Sequence, residues 1–233
     1  MIICLETATT VCSVALCNRN GVIAVKESNE DRSHASQLTV FIEDILREAG
    51  LRLNELEAIA VSKGPGSYTG LRIGVSVAKG IAYASSLPLI GVDTPESIFR
   101  GFLSDAEKNY DLAETDLFCP SMDARRMEIY YSMFDLKGNP IKKICAEVIT
   151  PESFNDIPGS SRIFFFGDGA GKMKEVLKRK NVEFPGEFRI SAASMYLPAY
   201  KALDEKKFED VAYFEPFYLK DFITSKPVKN ILG

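Results

Sequence analysis

The first half of the chain combines short apolar runs with one stretch of helical periodicity. Apolar runs at 2–6, 11–16 and 22–26 predict three strands, and the polar segment 18–21 predicts a hairpin turn because Asn and Gly tolerate positive φ angles. Apolar residues then recur at the spacing of one helix face. This pattern predicts an amphipathic helix that ends at Gly50 and whose apolar face contains Leu38, Phe41, Ile42, Ile45, Leu46 and Ala49.

Two more strands follow that helix. The apolar runs 57–62 and 87–92 predict them, and between them the loop 63–69 opens a second helix that continues to about Ser85. Pro95 is well placed to begin a third helix, since proline is tolerated in the first turn. The resulting order β-β-β-α-β-α-β-α is typical of a ribonuclease-H-like unit.

The second half of the chain repeats the opening of the first. Residues 117–123, like residues 2–6, form an apolar run that ends at an acidic residue and is followed by a polar turn and a second run. The two copies lie roughly 115 residues apart, which indicates a tandem duplication. We therefore expect an α/β fold with two ribonuclease-H-like lobes, residues 1–104 and 105–233. Two such units in tandem describe the actin-like ATPase superfamily, in which a nucleotide binds between the lobes.

The end of the second copy contains a glycine-rich turn. An apolar run at 163–166 predicts a strand, and the turn Gly167-Asp168-Gly169-Ala170-Gly171 leads from it into a helix that continues to about Lys178. Another helix is predicted from about Ala192 to Lys206. Gly167 and Gly169 can let the backbone approach an adenine or a phosphate, or they can simply cap the following helix. The sequence leaves both interpretations open.

Two acidic residues occupy equivalent places in the two copies. Glu6 ends the first strand of one copy and Asp123 ends the first strand of the other. In active members of the superfamily an acid at this place positions metal and phosphate, so Glu6 and Asp123 can face each other across the cleft. Each carboxylate can equally well accept backbone N–H groups of its own turn.

Composition and charge restrict the possible functions. With 46% apolar and 26% charged residues the chain is typical of a globular protein. His34 is the single histidine, so the chain cannot build an HExxH zinc site or a zinc finger. A net charge of −4 disfavours strong nucleic-acid binding by the chain alone. No apolar stretch suits a membrane span or a signal peptide, so we expect a cytoplasmic protein without membrane contact.

The loop 64–74 differs from known phosphate-binding motifs. It lacks the Gly-Lys-Ser/Thr of a P-loop and the spacing of GxGxxG. On the helix that follows, small residues recur every four positions and form one face, which can pack on the chain's own sheet or against a partner helix. Together with the first helix it is a candidate docking surface, and the predicted interface residues are Leu38, Phe41, Ile42, Ile45, Gly70, Gly74, Ala78 and Ala82.

Several segments carry the motifs of one family. The glycine loop Gly64-Pro65-Gly66-Ser67-Tyr68-Thr69-Gly70-Leu71-Arg72-Ile73-Gly74 is similar to the signature of the TsaB (YeaZ) family. The chain also resembles this family at Leu5-Glu6-Thr7-Ala8, Ser33-His34-Ala35, Asp123-Ala124-Arg125-Arg126-Met127-Glu128-Ile129-Tyr130 and Pro216-Phe217-Tyr218-Leu219-Lys220. It departs from the family pattern at Glu6, where many members have Asp, and at Lys220, where Arg is usual. Both changes keep the charge.

The resemblance implies a bacterial partner of TsaD. TsaD transfers a threonylcarbamoyl group to the adenine at position 37 of tRNAs that read codons beginning with A. TsaD-like enzymes have two metal-binding histidines four residues apart, and by alignment these positions hold Thr94 and Ile98 here. A hydroxyl and an aliphatic side chain cannot replace two imidazoles. The resemblance therefore implies a chain without metal, cofactor or catalytic site.

We predict a non-catalytic scaffold subunit. The resemblance implies a heterodimer with TsaD, a ternary complex with the ATPase TsaE, a homodimer when the chain is alone, and contact with tRNA only through the complex. The alternative is a residual nucleotide-binding hydrolase of the actin-like superfamily that uses Glu6 and Asp123.

Overall fold

The computed structural model describes residues 1–29, 34–186 and 188–220. The first half of the chain builds a sheet from β1 (Ile2–Glu6), β2 (Cys12–Asn18), β3 (Gly21–Ser28), β4 (Ala58–Gly64) and β5 (Leu89–Asp93). The strands lie in the order β3-β2-β1-β4-β5. The first three pair as antiparallel hairpins, whereas β4 and β5 run parallel to β1. All five strands predicted for this half are confirmed.

The second half builds a sheet of the same design. Its strands are β6 (Leu117–Asp123), β7 (Glu128–Asp135), β8 (Pro140–Val148), β9 (Ile163–Phe166) and β10 (Val182–Glu183). They lie in the order β8-β7-β6-β9-β10, so each strand occupies the place of its counterpart in the first sheet. The short β10 was not predicted, because two residues carry no readable pattern. The shared strand order confirms the α/β fold and the tandem duplication.

In the described part of the chain five α-helices surround the sheets, and Ser33, the first residue of the motif Ser33-His34-Ala35, lies outside the described residues. The first helix ends as predicted before Gly50, whose φ of +66° suits glycine. None of the helices in the described ranges is both long and apolar enough to cross a membrane. The helices are α1 (His34–Ala49), α2 (Tyr68–Ser85), α3 (Thr94–Asn109), α4 (Ala170–Val176) and α5 (Tyr196–Asp204), with short 3₁₀ helices at Leu53–Glu55 and Ala192–Met195.

Helices α1 and α2 cover one face of the first sheet. Side chains from alternate positions of the strands, such as Leu5, Val14 and Val61, form one core with Leu38 and Ile45 of α1. Alternation is expected because successive strand residues point to opposite faces. The apolar face of the predicted amphipathic helix therefore packs on the apolar face of the first sheet.

Helices α3 and α5 each pack on the sheet of the other half. Phe99 and Phe102 of α3 join the core of the second sheet, where the rings of Phe102 and Phe166 stack with centroids 4.0 Å apart. In return, α5 packs on the free face of the first sheet, and the Tyr200 hydroxyl donates to the carbonyl of Cys17 at 3.1 Å. The lobes are thus joined by two exchanged helices.

The predicted domain boundary falls within one of the exchanged helices. Residues 104 and 105, between which the sequence placed it, lie inside α3. Ser104 and Asp105 lie on the exposed side of α3, because the apolar side of this helix faces the second sheet. The first lobe consists of the first sheet with α1, α2 and α5, and the second lobe consists of the second sheet with α3 and α4.

Candidate functional site

The glycine loop between β4 and α2 packs on the turn that follows β1. The N–H of Ser67 donates to the carbonyl of Ala8 at 2.6 Å. A Cβ atom on Gly66 would lie 2.3 Å from the same carbonyl oxygen, and one on Gly70 would lie 2.0 Å from the carbonyl oxygen of Thr7. Only glycine permits such an approach. The glycines of the family signature therefore serve a contact between two backbone segments of this chain.

The small residues predicted to meet a partner face the chain's own sheet. Gly70, Gly74, Ala78 and Ala82 are all buried. A Cβ atom on Gly74 would lie 2.2 Å from Oγ1 of Thr7 and 3.4 Å from Cγ2 of Val61. The structure thus favours the first of the two alternatives that the sequence left open. This part of the predicted interface is corrected, because the close approach is already made with Thr7, just after β1, and with Val61 of β4.

The predicted interface residues on α1 are corrected in the same way. Leu38, Ile42 and Ile45 are buried, and Phe41 is half-buried against the same core. The apolar stripe of α1 is broad because this helix contacts β2 and β3 beneath it and α2 beside it. Its width therefore reflects neighbours within the chain.

A different series of small residues faces outward on α2. Ser76, Gly80 and Ala84 are exposed and also recur every four positions. A Cβ atom on Gly80 would have nothing within 4 Å. The half-buried Val77 and Ile81 lie beside them. Sequence reasoning missed this series although its spacing was readable, because spacing alone does not show which of two small-residue series faces the sheet.

A shallow groove accompanies this series. It has a volume of about 450 Å³, lies between α1, α2 and the first 3₁₀ helix, and is mainly apolar with Glu43 and Arg47 among its lining residues. We define the outward helix face as the exposed or half-buried residues on this side of α1 and α2: Thr39, Glu43, Arg47, Ser76, Val77, Gly80, Ile81 and Ala84.

The two acids predicted at the cleft each hold their own turn. An Oε atom of Glu6 accepts the backbone N–H of Ala8 at 2.6 Å, and Oδ1 of Asp123 accepts the backbone N–H of Arg125 at 2.5 Å. Asp123 also pairs with Nζ of Lys172 at 2.6 Å. In both lobes the carboxylate accepts the N–H of the residue two positions later in the chain. This shared arrangement supports the interpretation that each acid holds its own turn.

The electrostatic neighbour of Glu6 across the lobes is Asp168, not Asp123. Burial raises the pKa of Glu6 from 4.5 to about 7, and the negative charge of Asp168 adds to the rise. Burial also raises the pKa of Asp168, whose Oδ1 accepts the N–H of Asp123 at 3.1 Å. Oε2 of Glu6 is buried without a hydrogen-bond partner among the described residues. This environment favours the neutral form of Glu6.

The glycines after β9 repeat the packing of the first lobe. Gly167 has a φ of +96°, and a Cβ atom on it would lie 2.2 Å from the carbonyl oxygen of Ser121. The N–H of Gly169 donates to that same oxygen at 3.1 Å, and a Cβ on Gly169 would lie 2.9 Å from the backbone of Met122. Both glycines therefore serve close packing against the end of β6.

A cavity of about 640 Å³ lies between the turn after β1 and the α4 region. Its charged lining is mixed, with Asp168, Lys174 and Arg189. Within residues 1–29, 34–186 and 188–220 there is no group of three or more His, Cys, Asp or Glu side chains suited to a metal ion. Thr94 and Ile98, the positions at which the resemblance implies the histidines of TsaD, are fully buried.

The end of the described chain forms a strap across both lobes, which we define as residues 212–220. Nζ of Lys79 donates to the carbonyls of Ala212 and Phe214 at 3.2 and 2.8 Å. The N–H of Phe217 donates to the carbonyl of Lys63 at 2.7 Å, beside the glycine loop. The strap ends at Lys220, which pairs with Glu128 of the second lobe. The sequence showed this segment only as a family motif.

Comparisons with known proteins agree on one family. The family model described as "TsaD: tRNA N6-adenosine threonylcarbamoyltransferase" matches residues 22–223. The protein of Escherichia coli (strain K12) described as "tRNA threonylcarbamoyladenosine biosynthesis protein TsaB" is 30% identical over 97% of this chain and 96% of its own length. The chain belongs to the TsaB branch of the TsaD family. The resemblance found in the sequence is thereby confirmed.

Solved structures show the same fold for this TsaB-family chain. "YeaZ from Pseudomonas aeruginosa" is 26% identical, with a TM-score of 0.77 over 94% of this chain and 99% of that structure. A second structure with the same values is described as an uncharacterized protein with similarity to peptidase YEAZ from Pseudomonas aeruginosa. These matches confirm the actin-like, duplicated architecture that the repeat predicted.

Proposed function

We propose that the chain is a non-catalytic subunit that pairs with a TsaD-family transferase in the cytoplasm, for the formation of threonylcarbamoyladenosine at adenosine 37 of tRNA. The name of the Escherichia coli relative supports a role in this modification. The observation that carries the proposed pairing is the outward helix face, which combines small and apolar residues on two adjacent helices.

The occupant proposed for this face is the equivalent helix pair of the TsaD-family partner. The TsaD model matches most of this chain, which supports a partner with the same α1–α2 arrangement. Ser76, Gly80 and Ala84 have short side chains, so a partner helix can approach α2 closely, while Val77 and Ile81 supply apolar surface beside it. Burial of that surface would stabilise a four-helix layer.

Three observations support a role without catalysis. The positions of the TsaD histidines hold Thr94 and Ile98, which are buried and offer no imidazole. The carboxylates of Glu6 and Asp123 are each bound to their own turn, which weakens the alternative of a nucleotide hydrolase that uses them. The glycine loop contacts the chain's own backbone. The wording for one similar structure suggests a peptidase activity. The described ranges contain no group of His, Cys, Asp or Glu side chains that could hold a metal ion for it.

The same proposal includes the other partners implied by the resemblance. The heterodimer would recruit the ATPase TsaE, and it would present the tRNA substrate to the transferase. When TsaD is absent, the outward helix face would pair with a second copy, because its apolar groove would otherwise stay in contact with water.

The proposal is tested by leucine substitutions on the two sides of α2. Gly80→Leu places a bulky side chain in the open space of the outward face, and overpacking of about 1–3 kcal/mol corresponds to roughly 5- to 150-fold weaker pairing. The same change should not lower the melting temperature, since leucine favours a helix more than glycine does. Size-exclusion chromatography with the TsaD protein of the same organism measures the pairing, and a tRNA modification assay measures the function.

Gly74→Leu is the matched control. It inserts the same side chain on the buried side of α2, where it meets Thr7, and should lower the melting temperature of the single chain. Normal pairing of Gly80→Leu would show that the partner binds elsewhere. Isothermal titration with ATP tests the alternative, because a nucleotide hydrolase would bind ATP tightly without a partner.

A further inference from the structure

The turn between β6 and β7 has an unusual backbone for its sequence. Arg125 and Arg126 are consecutive, exposed residues with φ angles of +68° and +50°. The left-handed region disfavours side chains with a Cβ atom, and two such residues in a hairpin turn are usually Asn or Gly. Two arginines at these positions therefore cost stability that Asn and Gly would avoid. A strained turn of this kind points to a role for the side chains themselves.

The charges around this turn leave the two arginines without acidic partners. The flanking acids are each neutralised by a lysine, Asp123 by Lys172 and Glu128 by Lys220. Neither arginine forms an ion pair with any residue in the described part of the chain. The turn and its two lysines thus carry four cations and two acids, although the whole chain has a net charge of −4.

Aromatic side chains continue this basic surface along the strap. Tyr218 lies two residues before Lys220, and its ring centroid is 5.0 Å from that of Tyr68 at the start of α2. The guanidinium of Arg72 lies 4.3 Å from the centroid of the Tyr68 ring, and its Nε donates to the Tyr218 hydroxyl at 3.1 Å. We define the basic-aromatic strip as Tyr68, Arg72, Arg125, Arg126, Tyr218 and Lys220.

We propose that the basic-aromatic strip binds a strand of RNA, with Arg125 and Arg126 on phosphate groups and the tyrosine pair against a base or ribose. Alternating cations and aromatic rings are the chemistry with which proteins hold single-stranded nucleic acid. The proposal rests on the proposed function, in which the heterodimer handles tRNA. Arg72 lies one turn before Ser76 on α2, so the strip begins where the outward helix face begins. A strand on the strip can therefore continue onto the partner.

The test uses the complete heterodimer and an unmodified tRNA transcript labelled for fluorescence anisotropy. The double variant Arg125→Gly/Arg126→Gly removes both cations and supplies residues that suit the left-handed backbone. Loss of two single-strand phosphate contacts should reduce the slope of log K against log salt by about 1.4, which at 0.15 M salt corresponds to about tenfold weaker binding. The melting temperature should rise, because the strained residues are gone.

Two control variants separate charge from structure. Lys108→Ala/Lys137→Ala also removes two exposed cations, but Lys137 lies at the opposite end of β7, so the tRNA affinity should change less than twofold. Arg125→Lys/Arg126→Lys keeps the charge and should keep most of the salt dependence.

The proposal is overturned if Arg125→Gly/Arg126→Gly binds tRNA with an unchanged salt slope. It is also overturned if this variant and Lys108→Ala/Lys137→Ala lose tRNA affinity equally. Size-exclusion chromatography of the same samples separates this proposal from the pairing. If the glycine variant forms less heterodimer, but the heterodimer that remains binds tRNA with unchanged affinity, the strip contacts the protein partner. That result also overturns the proposal.

Discussion

Replacement of Glu6 by glutamine tests the buried acid between the lobes. Glu6 is fully buried, one of its oxygens accepts the N–H of Ala8, and the other has no partner among the described residues. Glutamine keeps the size and the accepting oxygen but cannot ionise. The variant Glu6→Gln therefore isolates the cost of a negative charge at this place, where the charge of Asp168 adds to the effect of burial.

The magnitude follows from the shift of the pKa. In the folded chain the pKa of Glu6 is raised from 4.5 to about 7, so the folded state holds this proton more tightly than the unfolded state does. The wild-type chain has the full stability from this group below about pH 4.5, and loses it as the pH rises to about 7. At 1.36 kcal/mol for each pKa unit, the loss above pH 7 is roughly 3 kcal/mol.

The assay is a series of thermal melts of both proteins between pH 5 and pH 8. At pH 8 Glu6→Gln should melt about 6–12 °C above the wild type, since about 1 kcal/mol shifts a chain of this size by 2–4 °C. Near pH 5 the difference should shrink to about 2–3 °C, because only about 0.8 kcal/mol is lost there. The exposed Glu152 supplies the control Glu152→Gln, which should follow the wild type throughout. Parallel curves for the wild type and Glu6→Gln would refute the reasoning, because they would mean that Glu6 ionises normally in the folded chain.

Two further predictions concern stability. Gly74→Ala should lower the free energy of unfolding by about 1–3 kcal/mol because its Cβ meets Thr7. Gly80→Ala, in open space on the same helix, should raise the free energy of unfolding by up to about 1 kcal/mol. Urea titrations of the two variants compare these values, and equal effects would contradict the assigned faces of α2. Asp116→Ala removes the buried acid that accepts a hydrogen bond from Nε of Arg162 at 3.1 Å, and should lower the free energy of unfolding by about 2 kcal/mol. Chemical denaturation of this variant beside Asp105→Ala, which removes an exposed acid, checks that burial decides the size of the loss.

The sequence predicted local elements well because their patterns depend on neighbouring residues. Apolar runs between polar turns predicted the strands of both sheets except β10, and the spacing of Leu38, Ile42 and Ile45 predicted α1. The repeat of about 115 residues predicted the shared strand order. These features need only the periods of strands and helices.

The exchanged helices and the side of α2 that is free needed tertiary information. The apolar residues of α3 show that it packs on a sheet, but not on which of two sheets with the same design. Likewise Gly70 and Gly74 have the same spacing as Ser76 and Gly80, and only the contact with Thr7 decides which series is buried. The unfavourable charge interaction between Glu6 and Asp168 depends on how the lobes meet. Each of these joins segments that are far apart in the chain.

The exchange of α3 and α5 has a consequence for any attempt to divide this protein. A fragment that ends near residue 104 would lack α5, so the face of its sheet formed by Ile2, Ala60 and Ile90 would meet water. The complementary fragment would lose most of α3 and uncover Phe118 and Phe164. Neither piece would make a usable monomer for binding studies, whereas the two mixed together would each offer the helix that the other lacks.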